Sequence, residues 1–176
     1  MGKEKKLRKM RKFRFQLLHK FIIKNFKPCK VADVGGGKGL LAYLLKKDGF
    51  DAFVIDPFNQ ELPKKYKDLE GNKEKMNTEK IPRITKKFKK EMIKDFDLII
   101  GLHAHGSNMN IIEGCAKYKK DFILMPCCVI DEPIIQKPNI DWFDSLVKYA
   151  KNLGHDLKYF ELNCTGQNKG FYTKKI

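Results

Sequence analysis

The 176-residue chain has no apolar run approaching the ~20 residues that span a bilayer, and its first residues are charged where a signal peptide carries an apolar centre. Both absences point to a soluble, cytoplasmic protein with no membrane contact. No Gly-x-x-x-x-Gly-Lys-Ser/Thr string occurs, which argues against P-loop nucleotide chemistry. The five cysteines (Cys29, Cys115, Cys127, Cys128, Cys164) form no even, regularly spaced framework, so reduced thiols are expected. The length suits one α/β domain with a full core and leaves no room for a second. Acidic residues are scarce, 21 against 37 Lys and Arg, for a net charge of +16. That excess has an address. Residues 1–30 carry twelve Lys or Arg against the single Glu4, or +11 of the +16. A basic segment of this density attracts polyphosphate, most simply RNA, through counterion release and steering.

Met1–Arg8 is expected to be a frayed basic tail. Beyond it Met10, Phe13, Leu17, Leu18, Phe21 and Ile22 recur at helical spacing, while Arg8, Arg11, Lys12, Lys20 and Lys24 turn largely elsewhere. This is an amphipathic helix that packs on a sheet and offers a basic face to RNA. We divide the chain into a basic tail and helix over 1–27 and a main domain over 28–176. In the main domain, strands at 31–34, 52–56, 83–88, 97–103 and 121–126 alternate with helices at 39–47, 108–118 and 140–153. Such alternation predicts a Rossmann-like, doubly wound, mostly parallel sheet in an α/β protein. Two further strands, 157–163 and 170–174, flank a turn rich in hairpin residues. The polar stretch 59–80 reads as a short helix or mobile loop over the ligand crevice, serving as a lid or an RNA contact.

The densest signal is Val31-Ala-Asp33-Val-Gly35-Gly36-Gly37-Lys-Gly39, a buried strand that stops at glycines before a helix. Glycines let the backbone turn and approach a ligand closely. A second acid, Asp56, ends the next strand, 23 residues after Asp33, where it can accept hydrogen bonds from a ribose. A dinucleotide fingerprint would need a glycine at position 40, which is Leu40. The string Asp33-x-Gly35-x-Gly37-x-Gly39 instead resembles motif I of class I S-adenosylmethionine-dependent methyltransferases, and Asp56 matches that family's ribose acid.

The segments Gly101-Leu-His103-Ala-His105-Gly106 and Pro126-Cys127-Cys128 are the other distinctive strings. They resemble a branch of that family in which one strand ends Gly-Leu-His-Ala-Cys-Gly and the next Pro-Cys-Cys. The branch includes a domain attached to a glutathione transferase C-terminal-like domain and looks related to tRNA ribose methyltransferases. His105 stands where the branch has cysteine, and Ser107 and Asn108 where an acid often follows. The resemblance, over roughly residues 30–135, implies a seven-stranded sheet closed by a C-terminal antiparallel hairpin. It implies S-adenosylmethionine as cofactor, held by Asp33, Gly35, Gly36, Gly37, Gly39, Asp56, Phe88 and Leu102.

In that fold the methyl group lies at the tip of the 97–103 strand, so His103 and His105 are the candidate catalytic residues, poised to orient or deprotonate a nucleophile. Alternation places both on one side of an extended chain. With Cys127 and Cys128 they make a conceivable two-His, two-Cys zinc set. Adjacent cysteines on a strand face opposite ways, however, and no Cys-x-x-Cys or His-x-x-x-His occurs, so no metal is expected. A thiolate nucleophile is disfavoured because the 97–103 strand carries no Pro-Cys, and the two thiols are expected to pack near the cofactor. The Asn/Asp-Pro-Pro-Tyr/Phe tetrad of base-amine methyltransferases is absent. The reading is a methyltransferase acting on RNA, tRNA or rRNA. The alternatives are a protein or small-molecule acceptor, or a non-catalytic RNA-binding module that keeps the fold. Oligomeric state is not legible.

Overall fold

A computed structural model describes residues 10–77, 80–133 and 139–175, with side chains from Phe13 onward. The predicted tail, Met1–Arg8, and the Arg11 and Lys12 side chains lie outside the described residues. Helix α1 spans Met10–Asn25, strand β1 Lys30–Val34, helix α2 Leu40–Lys47 and strand β2 Asp51–Ile55. Strands β3 (Lys65–Lys67), β4 (Lys73–Lys75) and β5 (Arg83–Ile84) precede a 3-10 turn, Lys90–Asp95. Strand β6 (Leu98–Leu102), helix α3 (Asn108–Tyr118), strand β7 (Asp121–Met125) and helix α4 (Trp142–Asn152) follow. The final pair is β8 (Lys158–Glu161) and β9 (Lys169–Tyr172).

Seven strands form one sheet in the order β5-β2-β1-β6-β7-β9-β8. The first five are parallel; β9 runs antiparallel to β7, and β8 to β9. Central parallel strands are covered on both faces, which is why Leu98, Ile99 and Ile100 are all buried rather than alternating with polar residues. Alternation still sorts them between two cores. Leu98 and Ile100 join Val31, Val54, Ile123, Leu18, Ile22 and the α2 leucines on one face. Ile99 joins Ala32, Phe122, Leu124 and residues of α3 and α4 on the other.

Helix α1 is part of this body, with Leu18 and Ile22 fully buried and Lys20 and Lys24 exposed. The Gln16 amide donates to the Lys67 carbonyl of β3. Helix α4 begins one residue after Asp141, whose carboxylate accepts the Phe143 amide at 3.0 Å. Trp142 is buried in the core. No helix among the described residues is long and apolar enough to cross a membrane.

Two local expectations change. Among its described residues the 59–80 stretch holds no helix; irregular chain over 59–64 leads into an antiparallel ribbon, β3 with β4. Its turn is closed by the Asp68 carboxylate, which accepts the Asn72 main-chain amide at 2.7 Å and side-chain amide at 3.0 Å. A short-range hydrogen-bonded turn outweighs the weak strand propensity of Lys-Tyr-Lys and Lys-Glu-Lys. The 83–88 strand shrinks to Arg83–Ile84, because the chain then turns inward to bury Phe88 beside Ile93 and Phe96.

Candidate functional site

The sheet order reverses direction between β1 and β6, so the loops leaving their carboxyl ends diverge and leave a crevice. A cleft of about 830 Å³ occupies that point. Gly35, Gly36 and Gly37 form one wall, the loop after β6 and the Cys127–Cys128 segment another, and Phe15, Gln60 and Pro63 close the sides. Its volume falls within the range of small-molecule and cofactor sites. Gln60 and Pro63 are the residues of the 59–80 stretch that line it.

Asp33 lies behind the glycine wall. Its side chain is buried, and a Cβ on Gly36 would stand 2.6 Å from Asp33 Cγ, so the carboxyl fills the space that glycine leaves. Burial pushes Asp33 up to about 7, against the pull of the nearby Arg83 charge. Its Oδ2 has no hydrogen-bond partner among the described residues. Asp33 therefore shapes the turn from beneath and is not among the residues lining the cleft.

Asp56 ends β2 and is turned onto the same loop. One carboxylate oxygen accepts the Gly37 amide at 3.0 Å and the other the Phe58 amide at 2.8 Å. Each oxygen keeps a second lone pair, while Asp56 is itself buried and, like Asp33, not among the residues lining the cleft. Gly39 precedes α2 with φ of 90°. Leu102 lines the cleft, whereas Phe88 is core and does not.

His103 leaves β6 with φ of 54°, which ends the strand and breaks the expected alternation. Both histidines line the cleft nonetheless, placed by a loop rather than by pleat. Burial, reinforced by the Arg14 charge, holds His103 down at about 4, so its ring is neutral near pH 7. Its Nε2 is buried with no hydrogen-bond partner among the described residues. His105 is exposed, with Nε2 3.5 Å from Cys127 Sγ and Nδ1 3.2 Å from Cys128 Sγ.

The expectation that adjacent cysteines diverge is corrected here. Strand β7 stops at Met125, so Cys127 and Cys128 sit in irregular chain and their sulfurs lie 3.5 Å apart on one imidazole. Burial raises the Cys127 thiol to about 11, which disfavours a free thiolate nucleophile.

Three contributors escaped the sequence reading. Arg83 Nη1 donates to the Gly37 carbonyl at 2.7 Å, bracing the turn opposite Asp56. A signal existed, because Arg83 is the only arginine after Arg14 in a chain otherwise rich in lysine. Arg14 and Gln167 also line the cleft, and only the packing of α1 and the β8–β9 connection brings them there.

A seven-stranded sheet with an antiparallel carboxyl-terminal pair, and a glycine turn facing the crevice of its first strand, define the fold of S-adenosylmethionine-dependent methyltransferases of class I. A methyltransferase dependent on that cofactor, from Archaeoglobus fulgidus, superposes with TM-score 0.57 at 15% identity, over 94% of this chain and 97% of that one. Magnesium protoporphyrin IX methyltransferase from Synechocystis, solved with bound S-adenosylmethionine, gives 0.53 at 11% identity, over 93% and 77%. In sequence, the chain is 31% identical over 130 residues, 73% of its length, to a Caenorhabditis elegans protein named as a probable tRNA (uracil-O(2)-)-methyltransferase. Fold and sequence together place the chain in the class I S-adenosylmethionine-dependent methyltransferase family, to which it belongs. It spans about a fifth of the length of the curated relatives it matches, 20% of the C. elegans protein and 18% of its Caenorhabditis briggsae counterpart. No protein-family model matches the chain.

Proposed function

We propose that this chain is an S-adenosylmethionine-dependent methyltransferase whose acceptor is RNA, a ribose hydroxyl of tRNA in particular. The observation that carries the reading is the cleft itself, lined by the glycine turn on one side and by His103 and His105 on the other. The relatives named probable tRNA (uracil-O(2)-)-methyltransferases support tRNA as the acceptor, and the ribose hydroxyl follows from the resemblance to tRNA ribose methyltransferases.

The Gly35–Gly37 turn and Leu102 are the surfaces that would hold the cofactor, with Asp56 at its ribose hydroxyls. Bound S-adenosylmethionine supplies an activated methyl group. With that donor bound, the neutral His103 ring would accept the hydrogen bond of an incoming hydroxyl, aim its oxygen, and take its proton as the methyl group leaves the donor's sulfur, which departs as a neutral thioether. Lys20 and Lys24, exposed on α1, supply phosphate contacts, and Arg8, Arg11 and Lys12 extend the same basic stretch in sequence.

Calorimetry with S-adenosylmethionine, paired with transfer of labelled methyl groups to total RNA, tests this. Donor binding and label in tRNA are expected. Label in protein or small metabolites alone would overturn the acceptor, and no donor binding would overturn the enzyme. His103→Asn is expected to lower kcat about a hundredfold while leaving donor affinity within about twofold.

A further inference from the structure

The two loops that carry His105, Cys127 and Cys128 are held together more firmly than loops at a sheet edge need to be. Strands β6 and β7 are paired to their ends, with Leu102 opposite Met125, and the His103 amide donates to the Met125 carbonyl at 3.1 Å. Beyond that point Glu132 reaches across. Its carboxylate accepts the Asn108 main-chain and side-chain amides, each at 2.8 Å, and the Met109 amide at 3.3 Å. An anion thereby caps the first turn of α3 from a different segment. Gly106 completes the clamp, with φ of 69° and a position where a Cβ would stand 2.9 Å from Asp131 Cβ. Only glycine allows the two loops to lie this close.

What the clamp presents is one imidazole and two thiols. One ligand atom from each lies within 4.8 Å of the others: the sulfurs are 3.5 Å apart, Cys127 Sγ is 3.5 Å from the ring's Nε2, and Cys128 Sγ is 3.2 Å from its Nδ1. A tetrahedral centre with ~2.3 Å metal–sulfur and ~2.0 Å metal–nitrogen bonds holds its sulfurs roughly 3.8 Å apart, and sulfur and nitrogen roughly 3.5 Å apart. The sulfur–sulfur separation is within a few tenths of an ångström of that arrangement; the two sulfurs meet different ring nitrogens, so a turn of the exposed His105 ring would bring one nitrogen onto both. It also lines the cleft, so a fourth direction is open to a ligand from solvent.

We propose that His105, Cys127 and Cys128 bind one zinc-class divalent cation, leaving its fourth position facing the cleft. One ring nitrogen and two sulfurs supply three protein ligands. Both thiols release their protons to solvent on binding, so a dication becomes a neutral bis-thiolate centre. Sulfur and imidazole donors without a carboxylate select zinc over magnesium or calcium. Three protein ligands with an open position is the pattern of a cation that engages a substrate, rather than one that only staples a fold. The ligand expected there is an oxygen: water at rest, and an oxygen of the acceptor during turnover. That last assignment rests on the methyl-transfer reading, whereas the metal site does not.

The test uses the full chain, reduced and freed of metal. Titration with Co2+ is expected to reach one equivalent per chain, with thiolate charge-transfer absorption and the intense visible bands of a tetrahedral centre, displaced by Zn2+. Cys127→Ser, Cys128→Ser and His105→Ala should each weaken Co2+ binding at least about a hundredfold, and Cys29→Ser should not. Protection avoids dependence on the folding of variants: in the unaltered chain Zn2+ should shield Cys127 and Cys128 from alkylation, read by mass spectrometry, while leaving Cys29 reactive. Absence of a one-equivalent site, or a site indifferent to all three substitutions, would overturn the proposal. Equal alkylation with and without Zn2+ would do the same. Calorimetry with S-adenosylmethionine on the metal-free chain keeps the two readings apart, since donor binding without metal binding would sink only this one.

Discussion

A single methyl group at position 36 would sit 2.6 Å from Cγ of the buried Asp33. Gly36→Ala is therefore expected to cost about 1–3 kcal/mol in chemical denaturation and to weaken S-adenosylmethionine binding at least about tenfold, both through displacement of the turn. The buried acid makes a pH prediction as well. Asp33 is raised to about 7 in the folded chain, while an unfolded aspartate titrates near 3.8. Between these values the unfolded chain gives up a proton that the folded chain keeps, so this group's contribution is fully present below the lower value and lost as pH rises through about 7. Asp33→Asn should remove that loss. Compared with the unaltered chain, its denaturation free energy should gain with rising pH over this window, by a total on the order of 4 kcal/mol. Equal pH slopes for the two chains would contradict the assignment.

At the scale of elements, the clamp on α3 is the clearest long-range dependence. Ser107 precedes the helix and makes no side-chain cap, so Glu132, some two dozen residues away, satisfies those amides instead. Glu132→Ala should destabilise the fold by about 1–2 kcal/mol in urea unfolding, with hydrogen exchange rising first at Asn108 and Met109. Sequence periodicity located most elements because it reflects burial. Helix α3 matches its expected 108–118 span, and the central strands shift by a residue or so at their ends. The misses are informative in the same terms. The β3–β4 ribbon is made of lysine-rich triplets with no apolar alternation, and it is held by its own Asp68–Asn72 turn and by the contact of α1 on Lys67. Phe88 looked like part of a ligand wall, yet the chain bends after Ile84 and buries it.

For the whole molecule, helix α1 is the element that ties part of the basic excess to the cleft wall. Helix α1 lies in the core through Leu18 and Ile22, exposes Lys20 and Lys24, and sends Arg14 and Phe15 to the cleft wall. RNA retention should fall steeply with salt. The double substitution Lys20→Glu and Lys24→Glu should lower the slope of log affinity against log salt by about 2 without changing donor affinity. An unchanged slope in filter binding would remove α1 from the RNA surface.

The sequence by itself determined the parallel sheet, the glycine turn and its two acids, because a buried strand, a tight turn and an acid at a strand tip each need particular residues locally. Tertiary structure alone decided that Asp33 supports the turn while Asp56 bonds it, that Arg83 braces it, and that His105 meets both thiols. Those outcomes depend on which strand ends become neighbours and on where regular strand geometry stops. Neither is encoded in the spacing along one segment.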